Sequence, residues 1–246
     1  MNAAEHRLEP LLRSLEVRSI LEEADRQALR DLPFKVRTLD ASTYILREGD
    51  LPESCAILIS GFAYRQKLTG DGARQIIALH ITGDPLDFQH LFLDVADHSI
   101  QMLTHGAVAM IPRKDIQHLV HTRPAIASAV VSNILVDSSI SREWVLNVGR
   151  RDARARLAHL LCEFGSRMGA LGLGGPDSCE LPITQEQLAD ATGLTSVHVN
   201  RTLKALEAAG LIARSKRMIS FPDWTRLREV GDFSARYLHL RVQESG

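Results

Sequence analysis

The stretch TQEQLADATGLTSVHVNRTLKALE, residues 184–207, decides how this chain is read. It carries the spacing of two crossing helices joined by a tight turn. Leu188, Leu194, Val199, Leu203 and Leu206 are placed to bury between them, and Ala189 is small where they would pass closely. Gly193 stands where the turn needs a left-handed backbone, which glycine adopts without steric cost. Thr184, with Gln187 three positions on, has the pattern of a capping box at the first helix. In the second helix Val199, Leu203 and Leu206 form one apolar stripe. Arg201 lies about 200° around that helix from Val199, so it points outward. A helix held in this way can enter the DNA major groove. The same periodicity also fits an ordinary packed helical hairpin. The small residue, the glycine and the basic outer face favour the DNA-binding form.

Working outward, LIARSKRMISF (211–221) reads as two strands joined by a basic tip of Arg214, Lys216 and Arg217. Beside a recognition helix that is a wing suited to phosphate contact; alone, a basic hairpin tip is only a solvated turn. Upstream, residues 150–168 read as an amphipathic helix with Leu157, Leu160, Leu161 and Phe164 inward. The glycine-rich GALGLGGPDS (169–178) lacks a following Lys-Ser/Thr and reads as a connection rather than a phosphate cradle. Residues 125–148 contain no glycine or proline, and Ile126, Val130, Ile134, Ser141, Val145 and Val148 recur at mostly helical steps. Such a stripe fits a two-stranded seam or packing against the chain's own N-terminal part, or both on different faces.

Nearer the N-terminus the pattern changes. Residues 5–32 read as one or two short amphipathic helices, with Leu29 and Leu32 inward. From about 36 to 111, short apolar runs alternate with glycine-marked turns, and Asp71-Gly72 is a hairpin signal. Many short strands punctuated this way predict a small β-barrel or roll. Pro112 and Pro124 bracket a short helical segment.

Composition narrows the function classes. A formal net charge of −1 gives no global nucleic-acid signal, but residues 150–246 hold 14 Lys+Arg against 11 Asp+Glu, leaving 15 against 19 elsewhere. Cys55, Cys162 and Cys179 are odd in number and far apart, which predicts neither a disulfide framework nor a metal or iron–sulfur cluster. Cys55 reads as a buried strand thiol rather than a redox reporter. No signal pattern and no run of roughly 18 apolar residues is visible, so a cytoplasmic protein without a membrane span is expected.

With these segments in place the chain resembles the Crp/Fnr family of bacterial transcription regulators. The resemblance spans roughly residues 10–221 and is strongest in LPITQEQLADATGLTSVHVNRTLKALEAAGLI, residues 181–212. It implies an α+β protein: an N-terminal β-roll like a cyclic-nucleotide-binding domain, a long dimerisation helix and a C-terminal winged helix-turn-helix. The expected divisions are 1–121, 122–149 and 150–246. It implies base reading by Ser196, Val197 and Arg201. Thr184, Thr195, His198, Lys204, Lys216 and Arg217 are expected at phosphates. Implied partners are double-stranded DNA, a second copy of the chain and RNA polymerase.

One departure bears on the effector. Members that bind cyclic AMP hold it with a glutamate for the ribose and an arginine-serine pair for the phosphate. Counting from Gly83-Asp84, those positions fall on Phe88, His98 and Ser99. Phenylalanine accepts no hydrogen bond, and a neutral imidazole lacks the bidentate grip of arginine. Phe88, His98 and Ser99 therefore mark the effector region, cyclic AMP is not expected as a tight ligand, and the effector stays unnamed. An alternative function is a small-molecule or redox sensor acting mainly through protein–protein contacts. An enzyme is not expected: the adjacent Asp97-His98-Ser99 diverge and cannot form a nucleophile–base–orienter chain.

Overall fold

A computed structural model describes residues 7–175 and 177–241. They form two compact units, one of 7–66, 79–137 and 241, the other of 67–78 and 138–240. The earliest part of the N-terminal helical reading, residues 5 and 6, and Pro176 of the glycine-rich connection lie outside the described residues.

The first unit opens with α1 (Glu9–Glu16) and α2 (Glu23–Arg30), which bury Leu11, Leu12, Leu15 and Leu29. Strands β1 (Lys35–Leu39), β2 (Tyr44–Leu46), β3 (Ser54–Ser60), β4 (Ala63–Leu68), β5 (Arg74–His80), β6 (Ser99–Met102) and β7 (Gly106–Pro112) follow along the chain, the end of β4 and most of β5 falling within 67–78 of the second unit. They make antiparallel sheets ordered β1-β7-β3 and β2-β6-β4-β5. Leu58, Ala63, Ile100, Met102 and Val108 form the core of this roll. The β4–β5 turn has Gly72 at φ 85°, as the Asp71-Gly72 signal requires. A 3-10 turn (Phe88–Leu91) and α3 (Arg113–Thr122) complete the unit, with α3 ending before Pro124.

Helix α4 (Pro124–Arg150) runs 27 residues. Its expected stripe divides. Ile126 and Val130 are buried and Ile134 packs against the same cluster of Cys55, Ile57, Phe88 and Ile111. Ser141 and Val145 are exposed. The apolar residues left uncovered are Val131, Leu135, Val145 and Leu146, at 45%, 62%, 75% and 44% exposure. Only Val145 belonged to the expected set, because the roll takes the stripe that carries Ile126 and Val130. The expectation about apolar runs also needs correcting. By length and composition α4 is apolar enough to cross a membrane. Its run is broken by Asp137, Ser138, Ser139 and Ser141, and it buries Val136, Ile140 and Trp144 within the protein.

The second unit is built on α5 (Ala153–Ala170), started by Asp152, whose side chain accepts from the Ala155 N–H. Its inward Leu157, Leu160, Leu161 and Phe164 are all buried. Helices α6 (Gln185–Thr192) and α7 (Ser196–Ala208), strands β8 (Ser178–Glu180), β9 (Ala213–Ser215) and β10 (Met218–Ser220), α8 (Trp224–Val230) and a 3-10 turn (Ala235–Leu238) complete it. The wing is a three-stranded sheet ordered β8-β10-β9. The sequence reading gave two of these strands; three-residue β8 is too short to show a period of two.

Candidate nucleic-acid interface

The helix-turn-helix forms as its residues dictate. Thr184 accepts from the Gln187 N–H at 3.2 Å, and the Gln187 side chain accepts from the Thr184 N–H at 3.0 Å, closing the capping box. Gly193 ends α6 in the left-handed region at φ 64°, and a Cβ there would come within 3.2 Å of Val148. Thr195 caps α7 by accepting from the His198 N–H. Leu188, Ala189, Val199, Thr202, Leu203 and Leu206 are buried, and α7 packs on both α5 and α6. The outer face of α7 is thereby fixed in direction.

That face carries Val197, 81% exposed, with Arg201 and Lys204 exposed beside it. Arg201 has no intramolecular hydrogen bond or ion pair among the described residues. Ser196 and Thr195 are exposed at the start of the helix and His198 is half-buried. The expected base-reading set Ser196, Val197 and Arg201 therefore shares the first two turns of one helix. Asn200, half-buried between them, was absent from that set although asparagine suits adenine edges.

The wing differs in detail from its sequence reading. Arg214 is in β9 rather than at the tip, and its Nε and Nη2 donate to the two Glu207 carboxylate oxygens, both at 2.9 Å. This fork ties the wing to α7. Lys216 stands at the tip with φ 54°, and Arg217 faces Glu180 at 3.4 Å. A pair between residues 207 and 214 leaves no signature in either segment alone. The side chain of Thr184 is engaged in its cap, although the residue is exposed.

In the roll, the three effector-region residues do not form an open cradle. Phe88 is buried in the cluster that holds the start of α4. His98 is buried with Nδ1 2.6 Å from Asp97 and Nε2 3.3 Å from the Gln89 amide, and it stacks on His90. Burial first, then the Arg65 guanidinium, pushes His98 down to about 4, so its imidazole is neutral near pH 7. Ser99 Oγ accepts from the Glu48 N–H at 3.0 Å. Sequence reasoning missed Arg65, a buried guanidinium that donates to the Leu86 carbonyl at 2.9 Å and to Asp137 of α4 at 2.6 Å. It also missed Asp87, which accepts from the Ala56 N–H at 3.0 Å and whose carboxyl burial raises to about 7. Cys55 is buried, and burial holds its thiol well above the ordinary range, against a reactive thiolate. Among the described residues no group of His, Cys, Asp or Glu is arranged to hold a metal.

Comparison with known proteins follows the same division. Residues 36–123 match the family model of the cyclic nucleotide-binding domain, and residues 155–230 match that of the Crp-like helix-turn-helix domain. The transcriptional activator protein FnrL of Cereibacter sphaeroides is 30% identical over 204 residues, covering 80% of this chain and 81% of that protein. The chain belongs to the Crp/Fnr family. The nitrogen fixation regulation protein FixK of Rhizobium meliloti is 27% identical over 80% of this chain and 88% of its own length. The solved structure of FixK2 from Bradyrhizobium japonicum superposes with a TM-score of 0.75 over 83% of this chain and all of that one, at 22% identity, and confirms the fold. This Crp/Fnr protein is thus a transcription regulator with a DNA-binding helix-turn-helix, and the relatives named here are regulators rather than enzymes.

Proposed function

We propose that this Crp/Fnr regulator binds a near-palindromic DNA site as a homodimer, reading bases with Ser196, Val197 and Arg201. The observation that carries this reading is Arg201, exposed and without a protein partner among the described residues, on a helix whose opposite face is buried. A guanidinium so placed can pair bidentately with guanine, and Val197 can meet a thymine methyl. Lys204, Lys216, Arg217, His198, Thr195 and Thr184 surround it as phosphate contacts. The second copy covers Val131, Leu135, Val145 and Leu146, since large uncovered apolar faces on a soluble protein mark partner surfaces. Half-site centres then fall about 34 Å apart, one turn of DNA.

In this reading residues 1–121 are the effector-type domain, 122–149 the dimerisation helix and hinge, and 150–246 the DNA-binding domain. The protein works in the cytoplasm with RNA polymerase. Cyclic AMP is not its effector: the ribose position is an apolar core residue, and His98 and Ser99 already have protein partners. Sedimentation of Leu135→Glu against the native chain, with a duplex-binding assay, tests the assembly. The expected result is a monomer that loses tight DNA binding. A Leu135→Glu chain that still sediments as a dimer would remove α4's uncovered face from the interface.

A further inference from the structure

A buried polar cluster joins α4, α5 and the segment after α8. Glu163 and His159, both on α5, are almost fully buried. The Trp144 indole N–H of α4 donates to both Glu163 oxygens, at 3.1 and 3.0 Å. Tyr237 Oη lies 2.8 Å from Glu163 Oε2 and 3.0 Å from His159 Nε2. His159 Nδ1 lies 3.0 Å from the Gly231 carbonyl. Glycine is required at 231, since a Cβ would stand 2.7 Å from the His159 backbone nitrogen.

The Gly231 carbonyl only accepts, so Nδ1 carries the imidazole proton. In a neutral ring Nε2 is then a bare acceptor. Two hydrogen bonds remain, from Nε2 to Oη and from Oη to Oε2, with Glu143 Oε1 at a longer 3.6 Å from Nε2, and Tyr237 supplies one proton for both. The cluster is complete only with one further proton, on Nε2 or on Oε2. We propose that Glu163, Tyr237 and His159 form a one-proton clasp that holds the segment 231–237 closed on α5 and releases it when that proton leaves.

The groups facing the clasp are Glu143 of α4, Arg151 of the α4–α5 turn, Arg167 of α5 and Asp232. Arg151 is itself paired with Glu143 at 2.7 Å and Asp232 at 3.1 Å. Burial raises the Glu163 carboxyl, and burial followed by Arg151 lowers His159; both directions favour Glu163 as the holder of the proton. A carboxyl raised in the folded state contributes stability below its unfolded value, and that contribution is lost as pH rises through the folded value. The departing proton goes to solvent. Tyr237 then donates to the carboxylate, and its contact with Nε2 sets lone pair against lone pair.

Amide hydrogen exchange of the full chain from about pH 5 to about pH 9, corrected for intrinsic rates, tests the clasp. Protection over 231–237 should fall roughly five- to tenfold at the alkaline end, the loss of one net hydrogen bond. Glu163→Gln, which carries its own donor, should hold protection flat, and Tyr237→Phe should lower it at every pH. In the native chain the Trp144 indole nitrogen resonance should titrate while that of Trp224 stays still. Native protection or a Trp144 resonance insensitive to pH, or a Glu163→Gln chain that keeps the native pH response, would overturn the proposal. None of these readouts involves DNA, so they stand apart from the proposed binding of a near-palindromic site.

Discussion

The recognition helix α7 and the roll treat their charged groups in opposite ways. On α7, Arg201 is exposed and given no protein partner among the described residues, while the helix behind it is packed and capped. In the roll, Arg65, Asp87 and His98 are turned inward and supplied with partners by the chain itself. On the DNA-binding surface Arg201 is left without a partner among the described residues, whereas Arg214 and Arg217 are paired with Glu207 and Glu180, and a guanidinium already paired inside the protein must break that pair to bind. A cavity meant for a small anion does the reverse when its polar groups find internal partners: it closes. In the roll Phe88 and His98 belong to that closed interior.

Four substitutions, one of them read across pH, would sharpen or break that contrast. Leu203→Ala removes buried volume behind the recognition helix and should cost about 2–5 kcal/mol in a denaturant-unfolding experiment, whereas Arg201→Ala should leave stability within about 0.5 kcal/mol. If Arg201→Ala destabilised the fold comparably, its side chain would be structural rather than held ready for a ligand. In DNA binding the roles reverse: Arg201→Ala should cost about 1–3 kcal/mol on the preferred duplex and relax preference at one base pair. Uniform weakening on every sequence would make Arg201 a backbone contact.

The roll's closed interior predicts a pH effect. Asp87 has its folded value raised to about 7, so its contribution to stability is full in acid and is lost as pH rises from the ordinary carboxyl range through about 7. Asp87→Asn keeps the acceptor for the Ala56 N–H and should flatten that part of the stability profile. An unchanged slope would mean that Asp87 is ionised and solvated. The smallest expected effect is at the wing tip. Lys216→Ala should lower the slope of log affinity against log salt by about one unit, with stability unchanged.

The sequence carried the helix-turn-helix almost entirely, because its signals are local: the Thr184–Gln187 cap, Gly193 at the turn and a four-residue apolar rhythm in α7. It also carried the order of roll, long helix and wing. What it missed depends on partners distant along the chain. Helix α4 has two apolar stripes, and only the folded roll selects which one it covers. The Arg214–Glu207 fork joins β9 to α7, so neither segment shows it alone. Arg65 sits in a strand whose alternation gives no hint that a guanidinium turns inward to Asp137, 72 positions away. Glu163 and Tyr237 are 74 positions apart and meet only when the segment after α8 packs on α5.

The most direct test of the account is selection of bound duplexes from a randomised pool by the native full-length chain and by Arg201→Ala in parallel. The account predicts a two-fold symmetric motif with half-sites one helical turn apart, and loss of preference at one symmetry-related guanine pair in the variant. An asymmetric motif, no motif, or the same motif from both chains would contradict it.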